Sequence, residues 1–259
     1  MSDYRNPSQR WGGAAARAGA DVDQGLRAYM LGVYNNMVVG LAITGLVALG
    51  TKLLAVTTDP AEAAVRFHSF YLTSFGYALY GSPLRYAVML APLAFIFFFS
   101  FRIDRMSASS ARNMFFAFSA VMGLSLSSIL LVYTGQSVFL AFFETAAAFA
   151  GLSIYGYTTK RDLTAMGSFL VMGLVGLFVV MIVNMFMQSS GLQFAISLLA
   201  VGIFAGLTAW DTQRIKEMYW EHDGYEVATK KAINGALMLY LDFINIFTAL
   251  IQLTGNRNN

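Results

Sequence analysis

The chain has 259 residues, 57% of them hydrophobic and 12% charged, with a formal charge of +3, no cysteine and a mean hydropathy of +0.59. A soluble domain carries about 25% charged residues, so a chain this apolar cannot face water on its own, and lipid must cover it. The absence of cysteine excludes disulfides, thiol catalysis and Cys-based metal sites. The basic residues lie in short loops between apolar runs, which argues against a nucleic-acid partner.

In chain order, residues 1–28 are polar and rich in Gly, Ala and Arg, and read as a cytoplasmic tail without the apolar stretch of a cleavable signal. The rest, 29–257, divides into seven apolar runs: Tyr29–Thr51, Tyr86–Phe101, Asn113–Tyr133, Val138–Tyr157, Met166–Met187, Leu192–Asp211 and Ile233–Leu253. A bilayer-spanning helix needs about 20 apolar residues, so the expected fold is all-α: a bundle of seven transmembrane helices. The second run is short, and Pro92 predicts a kink in it. The connection 52–85 contains Pro60 and reads as irregular. Gln188-Ser189-Ser190-Gly191 supplies the turn between the fifth and sixth runs.

Lys and Arg set the orientation. Arg5, Arg10, Arg17, Arg27, Arg102, Arg105, Arg112, Lys160, Arg161, Arg214, Lys216, Lys230 and Lys231 fall on one side of a seven-span arrangement; only Lys52, Arg66, Arg85 and Arg257 fall on the other. The richer side faces the cytoplasm, which places the N-terminus inside and the C-terminus outside. Small residues punctuate the runs: Gly202 and Gly206 in the sixth, Gly173 and Gly176 in the fifth, and Ala141, Ala148 and Gly151 in the fourth. They allow close helix approach in lipid, and need no role beyond packing.

Ionisable groups within spans are costly, face the bundle interior and mark candidate functional positions. Asp242 lies about nine residues into the seventh run, near mid-membrane, with Gly235, Asn245, Ala249 and Gln252 on its helical face. Tyr240, Phe243 and Phe247 point elsewhere. A polar stripe carrying Asn245 and Gln252 therefore turns inward; the plainer alternative is an interhelical hydrogen bond. Asp211 ends the sixth run on the cytoplasmic side, and an extra turn of helix would bring it level with Asp242. Glu144, in the outer half of the fourth run, is a candidate outer cation site or a hydrogen-bond partner for a neighbouring helix. Arg102 and Arg105 end the second run as interfacial anchors or as counter-ions for the aspartates. Enzyme patterns are missing: there is no HExxH, no Gly-x-Gly-Asp and no lysine in the seventh run. A non-enzymatic protein is expected.

Gly206-Leu-Thr-Ala-Trp-Asp-Thr-Gln-Arg-Ile-Lys216 and Gly235-Ala-Leu-Met-Leu-Tyr-Leu-Asp-Phe-Ile-Asn-Ile-Phe247 resemble the last two helices of the Bax inhibitor-1 family, also called the transmembrane Bax inhibitor motif family. Met122-Gly-Leu-Ser-Leu-Ser-Ser-Ile129 and Ser153-Ile-Tyr-Gly-Tyr-Thr-Thr-Lys-Arg-Asp-Leu163 resemble its bacterial members. The resemblance covers about Tyr29 to Arg257, though the loop from Arg214 to Lys231 is long for the family. It implies seven helices with the last one central. It also implies a pH-sensitive Ca²⁺ leak gated by a hydrogen-bonded aspartate pair, here Asp211 and Asp242, with an arginine latch at Arg102 or Arg105.

The residues lead the same way. Buried carboxylates with few buried bases make a cation path, and hard oxygen ligands suit Ca²⁺ as the permeant ion, bound transiently at Asp211, Asp242 and Glu144. Two close carboxylates cannot both ionise cheaply, so they share a proton and titrate together. No cofactor is expected. The expected partners are the lipid bilayer of a bacterial inner membrane and Ca²⁺. Two other functions fit: a non-conducting regulator that binds a membrane protease or another helix bundle, and a proton-coupled secondary transporter.

Overall fold

In hydrocarbon every backbone N–H and C=O needs a partner within the chain, which leaves helices as the spanning element for runs of this length. The computed structural model describes residues 8–59, 64–67, 70–102 and 105–258, and it is built almost wholly of helices. Among the described residues nine α-helices follow in order: α1 (Ser8–Ala55), α2 (Ser74–Gly76, continued by a π-helical turn Tyr77–Gly81), α3 (Leu84–Arg102), α4 (Ala108–Leu126), α5 (Ile129–Val132), α6 (Gly135–Thr158), α7 (Thr164–Met187), α8 (Ser190–Glu217) and α9 (Tyr225–Thr254). Six of the described helical segments are long and apolar enough to cross a membrane. Ser74–Gly81 with Leu84–Phe98 makes a seventh if that bent pair is one broken span. The chain is an all-α integral membrane protein.

Several boundaries differ from the expectation. Helix α1 starts at Ser8 rather than at Tyr29, so the polar segment 8–28 is helical; residues 1–7 lie outside the described residues. The second run continues as helix through Pro92, and the chain bends by 66° before it, at Ser82-Pro83. Proline there lacks the N–H that would carry the π-helical turn onward. The connection 52–85 is more ordered than expected. It holds a three-stranded antiparallel sheet in the order β1 (Val56–Thr57), β3 (Phe70–Leu72), β2 (Val65–Phe67), with Val56 paired to Leu72 and Arg66 to Tyr71. Pro60 lies outside the described residues.

The turns follow their local chemistry. Thr134 and Ser189 sit in extended backbone and accept from the N–H groups of Ser137 and Leu192, capping α6 and α8. Gln188 ends α7 in the left-handed region, with φ of 51°, and its N–H bonds to the Asn184 carbonyl at 2.7 Å. The chain end returns to the α5–α6 junction, where Thr134 N–H bonds to Asn256 O and Asn258 N–H to Val132 O.

Helix α9 packs against α1, α4, α6 and α8, and α8 packs in turn against α6 and α7. Tyr240 of α9 is fully buried, with Phe115 and Phe118 of α4 edge-on at 5.6 and 5.8 Å between ring centres. Its hydroxyl lies 2.6 Å from Thr44 Oγ1. The Thr44 hydroxyl itself faces the carbonyl oxygens of Ser119 and Gly40, so Tyr240 is the donor. Tyr240 and Phe243, expected to point away from the polar stripe, are thus inside the bundle: α9 is enclosed on more faces than one stripe requires.

Candidate functional site

Helix α8 does not stop at Asp211. It runs six residues further, to Glu217, because the end of α6 and the α6–α7 connection hold it. Gln213 accepts from Leu163 N–H at 2.9 Å and donates to Arg161 O at 2.8 Å, and Lys216 Nζ donates to Tyr157 O at 2.9 Å. The loop between the last two helices is correspondingly short, residues 218–224, and not the long segment expected from Arg214 to Lys231. Lys231 ties it to α9 through Asp223 at 2.5 Å.

Three glycines crowd the same part of α8. A Cβ on Gly156 of α6 would strike the Ala209 carbonyl oxygen, one on Gly167 of α7 the Trp210 ring, and one on Gly235 of α9 would lie 2.9 Å from Ile215 Cγ2. Three helices therefore close on α8 between Ala209 and Ile215. Of the small residues named from sequence, Gly206 and Gly173 do meet a neighbour, Leu170 and Ile203. Gly202, Gly176 and Gly151 face open space.

Asp211 sits inside this collar, 8% exposed, and Asp242 of α9 is 4% exposed. Their side chains lie within hydrogen-bonding reach of each other. Asp211 Oδ1 and Asp242 Oδ2 are buried and, among the described residues, receive no hydrogen bond from any backbone or other side-chain donor. Two carboxylates cannot donate to each other, so the arrangement is satisfied when they share one proton. Beside the pair runs a row of hydroxyls: Tyr34 OH to Ser153 Oγ at 2.5 Å, Ser153 Oγ to Thr212 Oγ1 at 3.0 Å, and Thr212 Oγ1 donating to Thr208 O at 2.7 Å. It links α1, α6 and α8 next to Asp211.

Among the described residues the positive charge acting on Asp211 is Arg214, one turn along the same helix, exposed and stacked over Trp210 at 5.5 Å. Arg105 is exposed, and among the described residues no ion pair joins it to Asp211. Arg102 ends α3; its side chain lies outside the described residues. Outside the spans, Asp162 accepts from Thr164, which holds its carboxyl below the usual carboxylate range. It anchors the start of α7.

Glu144 is half-buried on α6 and does not join the pair: among the described residues, no three His, Cys, Asp or Glu side chains gather as a metal site. Its expected neighbours Ala148 and Gly151 are exposed, so that face of α6 opens away from the bundle instead of packing into it. Asn245 and Gln252 follow Asp242 along α9, Asn245 half-buried and Gln252 exposed. A Ca²⁺ ion takes six to eight oxygens, and two carboxyls supply at most four.

Sequence reasoning missed Arg214, the Tyr34–Ser153–Thr212 row, and Gly156 and Gly167. Arg214 was legible from its i+3 spacing to Asp211; the hydroxyls and the two glycines matter only through helices distant in sequence.

Comparison with known proteins agrees with this architecture. Residues 26–259 match the family described as "Inhibitor of apoptosis-promoting Bax1". A Rickettsia prowazekii protein is 42% identical over 237 residues, covering 92% of this chain and 93% of its own. A Caulobacter vibrioides protein is 42% identical over 242 residues, covering 93% of each. Inner membrane protein YbhL of Escherichia coli K12 is 39% identical over 235 residues, covering 90% of this chain and 93% of its own. With a family match over nearly the whole chain and relatives this similar along their full lengths, the protein belongs to the Bax inhibitor-1 family.

Proposed function

We propose that this protein is a non-enzymatic, pH-sensitive Ca²⁺-leak channel of a bacterial inner membrane, gated by the Asp211–Asp242 pair. The observation that carries this reading is the contact between two buried carboxyls on adjacent helices, α8 and α9. A shared proton draws the helices together; its loss leaves two like charges in a low-dielectric site and pushes them apart. Helices α8 and α9 are the two-state element, and protonation is the input. Seven spans with α9 central, the N-terminus inside and the C-terminus outside give the Lys/Arg distribution its expected sense. The inner-membrane location draws on the name of the YbhL relative. Arg214 offsets charge at Asp211, with Arg102 a second candidate latch. Glu144 is a weaker cation contact in the outer half.

The test is Ca²⁺ flux into liposomes holding the purified protein, at several pH values. Asp211→Asn and Asp242→Asn keep the shape and remove the titration, so flux through either should lose most of its pH dependence. A normal pH response in both variants overturns the mechanism. Absence of flux from the wild-type protein favours the non-conducting regulator; flux that needs a pH gradient and saturates with a solute favours the proton-coupled transporter. Orientation is checked separately: a reporter active only in the cytoplasm should be silent when fused after Asn259.

A further inference from the structure

Among the described residues the bundle carries hollows of two kinds. Three larger ones, of about 490, 600 and 700 Å³, lie along α1 and α6, with apolar walls and only Arg27 or Lys52 as charge. They are lipid-side grooves. Another, about 220 Å³, lies between α7, α8 and α9: apolar residues of α7, Leu174 to Met181, line one side, and the other carries Ser197 from α8 with Asn245, Thr248 and Gln252 from α9. Asn245 gives its side-chain N–H to Leu241 O at 2.8 Å, which leaves its side-chain oxygen as an acceptor. Asn245 is three residues from Asp242 and Gln252 is ten, so this wall covers roughly 5 to 15 Å of helix outward of the pair.

Amides join the three helices at the α7–α8 turn, beside this cavity. Asn184 Oδ1 accepts from Ser189 N–H at 3.0 Å, and Asn184 Nδ2 donates to Gln193 Oε1 at 3.2 Å. Gln193 Nε2 donates to Gln252 Oε1 at 2.8 Å, and Ser197 Oγ donates to the same oxygen at 3.0 Å. Gln252 thus belongs both to this chain of amides and to the cavity wall. All of these bonds join neutral groups, and each exchanges for a bond to water.

We propose that the cavity between α7, α8 and α9 is the outer vestibule of the route to Asp242, holding water and a hydrated inorganic cation, and that the Asn184–Gln193–Gln252 chain is the latch across its mouth. The proposal deepens the channel reading and rests on its orientation. The volume has room for several waters at about 30 Å³ each, with the polar partners that water requires. Neutral oxygens suit a vestibule, because they replace part of a hydration shell without holding the ion. The route to the pair then enters beside α9.

The chain has no cysteine, so a single introduced thiol reports alone. Ala200 lines the cavity, Leu198 is exposed on the lipid face of α8, and Arg257 is exposed near the chain end. Full-length Ala200→Cys, Leu198→Cys and Arg257→Cys proteins are treated from the outer side with a small, cationic, membrane-impermeant methanethiosulfonate. Ala200→Cys and Arg257→Cys should react and Leu198→Cys should not. Gln252→Ala removes both bonds that its side-chain oxygen accepts, so adding it should speed the Ala200→Cys reaction at least about fivefold. If Ala200→Cys stays unreactive with and without Gln252→Ala while Arg257→Cys reacts, the vestibule is overturned. If it reacts only with a lipid-soluble maleimide, the cavity holds acyl chains and the vestibule is equally overturned. Equal rates with and without Gln252→Ala overturn the latch. Labelling is read without ion flux, so labelling without Ca²⁺ leak defeats the channel reading alone, and leak without labelling defeats this inference alone.

Discussion

Helices α7 and α9 are both long and apolar, yet they live in different surroundings. The most apolar stretch of α7 is 11% buried within the protein and that of α9 is 56% buried, although α7 has the higher hydropathy, 2.6 against 1.7. In a soluble protein the more apolar helix would be the inner one. In a membrane, lipid is as apolar as a leucine side chain, so hydrophobicity does not drive a helix to the interior. Both helices meet α8 through a glycine, Gly167 on α7 and Gly235 on α9; what sets α9 apart is the Tyr240 hydroxyl and Asp242 within its span, each with a partner on another helix. Low hydropathy with small and polar residues marks the inner helix here, and high hydropathy marks the lipid-facing one.

The sharpest attempt to break that contrast is at the glycine collar around α8. Gly156→Leu would drive a side chain into the Ala209 carbonyl, which belongs to backbone and cannot rotate away. The expected cost is about 3 kcal/mol or more, read as loss of folded protein or a large fall in melting temperature in detergent. Gly151→Ala, on the same helix but with nothing within 4 Å of its Cβ, is the control. It should be neutral or gain up to about 1 kcal/mol from helix propensity. Equal damage at both positions would mean that α6 and α8 do not touch through Gly156.

Next is the polar anchor of α9. Tyr240→Phe removes the hydroxyl that donates to Thr44 and leaves the ring between Phe115 and Phe118. The expected loss is about 1 kcal/mol, a modest fall in melting temperature with the fold retained. Thr44→Val removes the other end of the same bond. The double variant should cost less than the two single losses added together, because each removes one shared interaction. Strict additivity would sink the Tyr240–Thr44 bond as an anchor.

How much of this was legible in the sequence follows from the same physics. The spans were legible because the bilayer imposes a length, and Asp211 and Asp242 as candidate positions because a carboxylate in an apolar run stands out; their pairing was what the family resemblance implied. The turn at Gln188-Ser189 was marked by its own residues. The extension of α8 to Glu217 was not legible, since it depends on Gln213 and Lys216 reaching backbone oxygens of Tyr157 and Arg161, more than fifty residues away. Nor was the strand pairing within 56–72, where Val56 meets Leu72 across a loop with no hairpin signal. The face of α6 carrying Ala148 and Gly151 was misread because small residues at helical spacing look the same whether they meet a neighbour, as Gly156 does, or lipid, as Gly151 does.

The smallest effect belongs to the lipid face of α7. Met172 is 66% exposed and Val175 is 63% exposed, so their surroundings in the folded protein are acyl chains. In the membrane-inserted unfolded state the surroundings are the same, and truncation removes little that folding gained. Alanine also holds its place in a helix better than valine does. Met172→Ala and Val175→Ala should therefore change stability by no more than about 0.5 kcal/mol each, the melting temperature moving by a degree or two, while the flux and its pH response stay as in the parent protein. A loss as large as that of Tyr240→Phe at either position would mean that this face is covered by protein in the membrane, and α7 would then belong with α9 rather than opposite it.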